Sequence, residues 1–116
     1  KAIIQIFPHL KGKLTGSSVR VPVIDGSMTE LTLVTKSILT VEQVNEAMKK
    51  ASETSMNGIL GYTTDPIVSC DIIGSRYSCL FDAELTMVSN NLVRVVGWYD
   101  NEMGYSARLV DLITQI

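Results

Sequence analysis

The chain has 116 residues, 46% of them hydrophobic and 19% charged, with a formal charge of −2, 8 Gly and 3 Pro. That suits one soluble domain burying about two thirds of its unfolded surface, and it argues against a disordered, fibrous or low-complexity protein. No basic run exceeds Lys49-Lys50 and no apolar run approaches the roughly 18 residues of a membrane span, so neither a nucleic-acid nor a membrane partner is expected.

Ala2 to Phe7 is a dense apolar segment closed by Pro8, read as the tail of a helix. Val19, Val21 and Val23 alternate with Arg20 and Pro22, which predicts a strand with Arg20 on its polar side. The Asp25-Gly26-Ser27 turn leads to a second strand, Met28 to Lys36, able to pair with the first as a hairpin. Thr40-Val41-Glu42-Gln43 is a capping box. Val41, Val44, Ala47, Met48 and Ala51 then recur at helical spacing, so a helix is expected over Thr40 to Glu53.

Gly58 to Thr63, Ile67 to Ile72 and Tyr77 to Phe81 are short strand candidates between Thr64-Asp65-Pro66 and Gly74-Ser75 turns. Met87-Val88 and Leu92 to Tyr99 flank Asn90-Asn91 as a hairpin, and Ser106 to Ile116 carries one apolar stripe as a closing helix. The order predicts an α+β fold with a largely antiparallel or mixed sheet and helices packed on one face.

Few side chains promise chemistry. His9, the sole histidine, stands beside Pro8 at a helix end and reads as a surface residue. Cys70 and Cys79, separated by eight residues, fit no zinc or redox spacing and read as reduced packing thiols, consistent with a cytoplasmic location. No metal site and no catalytic residue is assigned. Asp82 reads as a hydrogen-bond acceptor at a strand end. Arg20 is the exception, because a guanidinium in an apolar strand needs either a carboxylate partner or a bound anion, and spacing leaves both open. Trp98 to Ser106 sets aromatics among polar side chains at a strand-to-helix junction, where Asp100, Asn101 or Ser106 can also simply cap the helix.

That string, Trp98-Tyr99-Asp100-Asn101-Glu102-Met103-Gly104-Tyr105-Ser106, resembles the WYDNE-x-GYS signature of the glyceraldehyde-3-phosphate dehydrogenase family. Arg108, Val110, Asp111 and Leu112 continue the match. Gly12 to Gly16 with Arg20-Val21-Pro22, Gly58 to Thr63, and Phe81-Asp82-Ala83 follow in family order, so the resemblance covers the whole chain.

The resemblance implies that Arg20 binds phosphate, of the substrate or of the inorganic ion, with its bidentate fork. It implies that Asn101 holds the nicotinamide carboxamide of NAD and that Tyr105 packs near the ring. The family's SCTTNC nucleophile motif, its activating histidine and its Rossmann domain are not found in these residues, and Ser69-Cys70-Asp71 does not replace the nucleophile.

The chain, opening at Lys1, is therefore expected to be part of a catalytic domain spanning 1–116. By itself it should be inactive and should not bind NAD tightly, and it should self-associate through its C-terminal helix. The whole enzyme should be a homotetramer that oxidises glyceraldehyde 3-phosphate with NAD and phosphate. A binding or assembly module, or a part of the sister erythrose-4-phosphate dehydrogenase, is the alternative.

Overall fold

The computed structural model describes residues 2–116, so Lys1 and the expectation attached to it lie outside the described residues. The apolar start forms α1 (Ala2–Ile6), and Pro8 opens a 3-10 turn through Leu10, a position where its missing N–H costs nothing. β1 (Ser27–Val34) follows, then α2 (Val41–Glu53), β2 (Leu60–Thr63), β3 (Cys79–Ser89), β4 (Leu92–Tyr99) and α3 (Met103–Ile113).

The strands make one mixed sheet in the order β1-β4-β3-β2. β4 pairs antiparallel with both β1 and β3, while β2 lies parallel to β3. The β3–β4 hairpin turns at Asn90, whose φ of 54° is left-handed, a conformation asparagine tolerates better than most residues. Its register slips between Asp82 and Met87, so β3 carries extra residues opposite β4, as in a bulge that bends a strand.

α2 forms as its spacing predicts. Thr40 Oγ1 accepts from the Gln43 amide at 3.3 Å and Gln43 Oε1 accepts from the Thr40 amide at 2.9 Å, which satisfies two otherwise orphaned donors. Its apolar stripe delivers Met48 and Ala51 onto Leu60, Phe81 and Ala83, with Tyr62, Cys79 and Val95 around them. Asn45 Nδ2 donates to the Ala83 carbonyl at 3.0 Å and fixes the helix over β3. Tyr62 stacks on Phe81, ring centroids 5.8 Å apart, an offset geometry that favours aromatic pairs. Phe81, Val93 and Val96 are fully buried.

Two predicted strands do not form. Residues 19–23 run as irregular, exposed chain in which Val23 N donates to the Val21 carbonyl. Pro22 has no amide for a ladder, and β1 takes β4 as its partner instead of pairing back on this segment. Arg20 consequently lies on exposed irregular chain, not in a strand. Ile67 to Ile72 is also not a strand. The Asp71 carboxylate accepts from the Val68 amide at 2.7 Å and coils Ser69–Ile72 into a 3-10 turn that buries Ile72. The third candidate, Tyr77 to Phe81, begins at Cys79 and runs on to Ser89.

The chain exposes 8870 Å², against about 6,200 Å² for a folded monomer of its mass. Its radius of gyration is 15.1 Å, where about 13 Å is usual at this length. Large apolar side chains lie on this surface. Ile24 and Ile116 are wholly exposed, and Val110, Leu112 and Ile113 on α3 are more than half exposed.

Candidate functional site

The site is built where β1 begins and β4 ends. Ser27 pairs with Tyr99 in the sheet, so the Asp25-Gly26-Ser27 turn meets the Asp100-Asn101 corner directly. Ser27 Oγ donates to Asn101 Oδ1 at 2.5 Å, and Asn101 N donates to Asp25 Oδ1 at 3.3 Å. The Gly26 amide donates to the same Asp25 oxygen at 2.7 Å.

Gly26 has a φ of +87°, and a Cβ there would lie 2.2 Å from the Ser69 carbonyl oxygen. Only glycine combines that conformation with that close approach. The turn is thereby seated on the Ser69–Ile72 segment.

Asp100 anchors the corner from below. Its Oδ1 accepts from the amides of Glu102 and Met103, both at 2.8 Å, and its Oδ2 accepts from Gly74 N at 2.8 Å. The amides of Met103, Gly74 and Glu102 hold its carboxyl below the usual carboxylate range, because each bond favours the charged form. Asp100 thus satisfies the amides of Glu102, the N-cap residue, and of Met103, where α3 starts, three residues before the expected Ser106.

α3 then packs through Gly104 and Ala107, its two buried residues. A Cβ at Gly104 would stand 2.7 Å from the Tyr77 carbonyl oxygen. Arg108 completes the docking. It donates to Asp111 at 2.8 Å and to the Gly58 carbonyl and Ser78 Oγ, each at 3.2 Å.

Of the three residues predicted to bind, Asn101 is held at this corner and Tyr105 lies on the first turn of α3, 68% exposed. Arg20 is not joined to them. Among the described residues no hydrogen bond or ion pair engages its guanidinium. The carboxylate partner left open by the sequence is therefore not found among them, while Arg94 and Arg108 do have carboxylate partners.

Reading the sequence missed Asp25 and Ser27 as parts of this corner. They registered only as a turn, since nothing local shows that β1 pairs with the strand ending at Tyr99. Cys70 is exposed and Cys79 partly buried. No group of three or more His, Cys, Asp or Glu side chains gathers to hold a metal among the described residues.

A family model of the glyceraldehyde 3-phosphate dehydrogenase C-terminal domain matches residues 1–101. The chain belongs to the glyceraldehyde-3-phosphate dehydrogenase family.

It is 54% identical over 112 residues to glyceraldehyde-3-phosphate dehydrogenase 1 of Streptomyces avermitilis, covering 97% of this chain and 34% of that relative. It is 49% identical over 117 residues to the cytosolic glyceraldehyde-3-phosphate dehydrogenase of Dianthus caryophyllus, covering 100% and 35%. With glyceraldehyde-3-phosphate dehydrogenase of Mycobacterium avium the figures are 50% over 116 residues, 100% and 34%. The chain thus spans about a third of the curated relatives it matches. No helix among the described residues is long and apolar enough to cross a membrane.

Asn101 Oδ1 is taken by Ser27, which leaves its Nδ2 hydrogens to meet a carbonyl such as that of a carboxamide. The exposed phenol ring of Tyr105 offers a flat face nearby in sequence.

Proposed function

We propose that this chain is the part of a glyceraldehyde-3-phosphate dehydrogenase that supplies nicotinamide-facing and phosphate-facing groups to a reaction whose nucleophile lies elsewhere. Bound beside these groups, NAD would supply the hydride acceptor for converting glyceraldehyde 3-phosphate and inorganic phosphate to the acyl phosphate, with one proton released. Asn101 holds the carboxamide so that one ring face meets substrate. Tyr105 limits the space beside the ring, and Arg20 grips a phosphate bidentately.

The observation that carries this reading is the Asn101 amide, whose Oδ1 accepts from Ser27 while its Nδ2 donors are left over. The match to the family supports it, as does Arg20 having no carboxylate partner among the described residues.

Residues 1–116 act in this reading as part of a catalytic domain, and the expectation for them alone is no turnover. The assay is nicotinamide reduction with glyceraldehyde 3-phosphate and, in parallel, erythrose 4-phosphate, each with inorganic phosphate. Turnover by the 116-residue chain itself would overturn the division of labour. In a chain of the relatives' length, Arg20→Ala should raise the KM for phosphate, and an unchanged KM would remove Arg20 from the site. The cytosolic naming of the Dianthus relative supports a cytoplasmic setting, and the whole enzyme is read as a homotetramer.

The excess apolar surface favours a second property, assembly. α3 presents Leu109, Val110, Leu112 and Ile113 to solvent, more than isolated monomers normally leave uncovered. The chain on its own is expected to self-associate through this face. Sedimentation of the wild type beside Val110→Glu checks it, and a concentration-independent monomer for both would count against it.

A further inference from the structure

We infer that Ser27 is a positioning residue that sets which way the Asn101 amide faces a nicotinamide ligand. The inference rests on the reading of Asn101 given above and extends it to a residue 74 positions away in the chain.

An asparagine amide has two ends of opposite character, and only the NH2 end can donate to a carboxamide oxygen. Asn101 stands on exposed chain just past a strand, where nothing in its own backbone fixes the flip. The Ser27 hydroxyl supplies the constraint: in the geometry seen it donates to Oδ1, which leaves both Nδ2 hydrogens free of Ser27.

Ser27 is itself immobilised. It is the first residue of β1, paired with Tyr99, and it follows a glycine wedged under the Ser69 carbonyl. The Asn101 backbone is held from the same turn by Asp25, so side chain and main chain are gripped by two residues of one rigid loop. A threonine at position 27 keeps the hydroxyl and suits a strand. An alanine keeps the strand and loses the hydroxyl.

The test is nitrogen-edited NMR on the 116-residue chain, following the Asn101 side-chain amide during titration with nicotinamide mononucleotide. The wild type should show close contacts from the Ser27 β-protons to Asn101 Hβ but not to its Nδ2 hydrogens, and those hydrogens should shift on titration. Ser27→Ala should bind about 2- to 12-fold more weakly, the range expected for one neutral hydrogen bond, and Ser27→Thr should restore the affinity.

Equal affinity in the wild type and Ser27→Ala would overturn the inference. So would Nδ2 hydrogens that lie against Ser27, because the amide then faces the other way. If the ligand moves no wild-type resonance, the nicotinamide reading fails. The orienting role is then judged on the free protein, where Ser27→Ala must still collapse the wild-type separation of the two Nδ2 proton shifts. Unchanged shifts there would overturn it.

Discussion

Trp98 and Asp82 are joined across neighbouring strands by an indole N–H donating to Asp82 Oδ2 at 2.9 Å, with Asp82 only 3% exposed. Leu80 pairs with Trp98 and Asp82 with Val96, so the bond runs diagonally on the sheet face turned away from Phe81. The second carboxylate oxygen accepts from Glu84 N at 3.2 Å where the register begins to slip. The aspartate therefore satisfies both the indole and a strand amide released by the irregularity. Asp82→Ala should cost about 1–3 kcal/mol, the usual cost of orphaning buried donors. Urea denaturation followed by the fluorescence of the single Trp98 reads it directly, and an unchanged midpoint would show that water replaces the carboxylate.

Acid stability should be dominated by the carboxylates that backbone amides hold ionised. Asp100 and Glu42 both titrate below their ordinary values. Asp100 is held by the amides of Met103, Gly74 and Glu102, and Glu42 by its own amide and the Thr40 hydroxyl. A depressed carboxylate adds stability that is complete above its unfolded pKa, about 4, and is lost as pH falls through the folded value. Unfolding curves between pH 7 and pH 2 should therefore weaken below about pH 4. Asp100→Asn should lower stability at pH 7 and flatten that slope, and an unaltered slope would remove Asp100 as the source.

The Thr40 cap predicts a smaller effect. Thr40→Ala removes the acceptor for the Gln43 amide and should cost about 1 kcal/mol. Far-ultraviolet circular dichroism during heating is the measurement. A loss confined to α2 before the global transition would show that the helix frays independently of the sheet.

Gly97 leaves room for a thiol. A Cβ there would lie 2.3 Å from Cys79 Sγ, so Gly97→Ala should destabilise by about 1–3 kcal/mol through overpacking. Adding Cys79→Ala should recover much of that loss. Additive losses in the double variant would mean that the clash lies elsewhere.

The same packing divides the two thiols. Burial pushes the Cys79 thiol up in pKa, and the thiolate is the reactive form. Cys70 is exposed. Ellman's reagent at pH 8 should react first with Cys70, and denaturation should expose Cys79; simultaneous reaction would show that the start of β3 opens readily.

Local signals carried most of the elements and little of the pairing. The Thr40 box, the α2 stripe and the Asn90-Asn91 turn are short-range features, and each appears where its residues stand. Val19 to Val23 has the alternation of a strand, but alternation describes a face and names no partner. The partner went to Ser27–Val34, joined to β4 across most of the chain. Ile67 to Ile72 misled for a different reason, since its apolar density is shared between strands and buried turns, and Asp71 decided for the turn. Asn101 and Tyr105 were singled out through their motif, whereas Ser27 becomes informative only once β1 and β4 are set side by side.

The strand order also has a kinetic meaning. Only β3 and β4 are joined by a tight two-residue loop; β2 also neighbours β3 but runs parallel to it across the connection 64–78, and β1 and β2 occupy opposite rims and both precede the hairpin in the chain. Local hairpins close in microseconds, whereas distant pairings wait on loop closure. The amides of the inner ribbon should therefore gain protection from hydrogen exchange before those of either rim. During synthesis, residues 27–34 emerge with their ladder unfilled until the very stretch that ends at Tyr99 has left the ribosome.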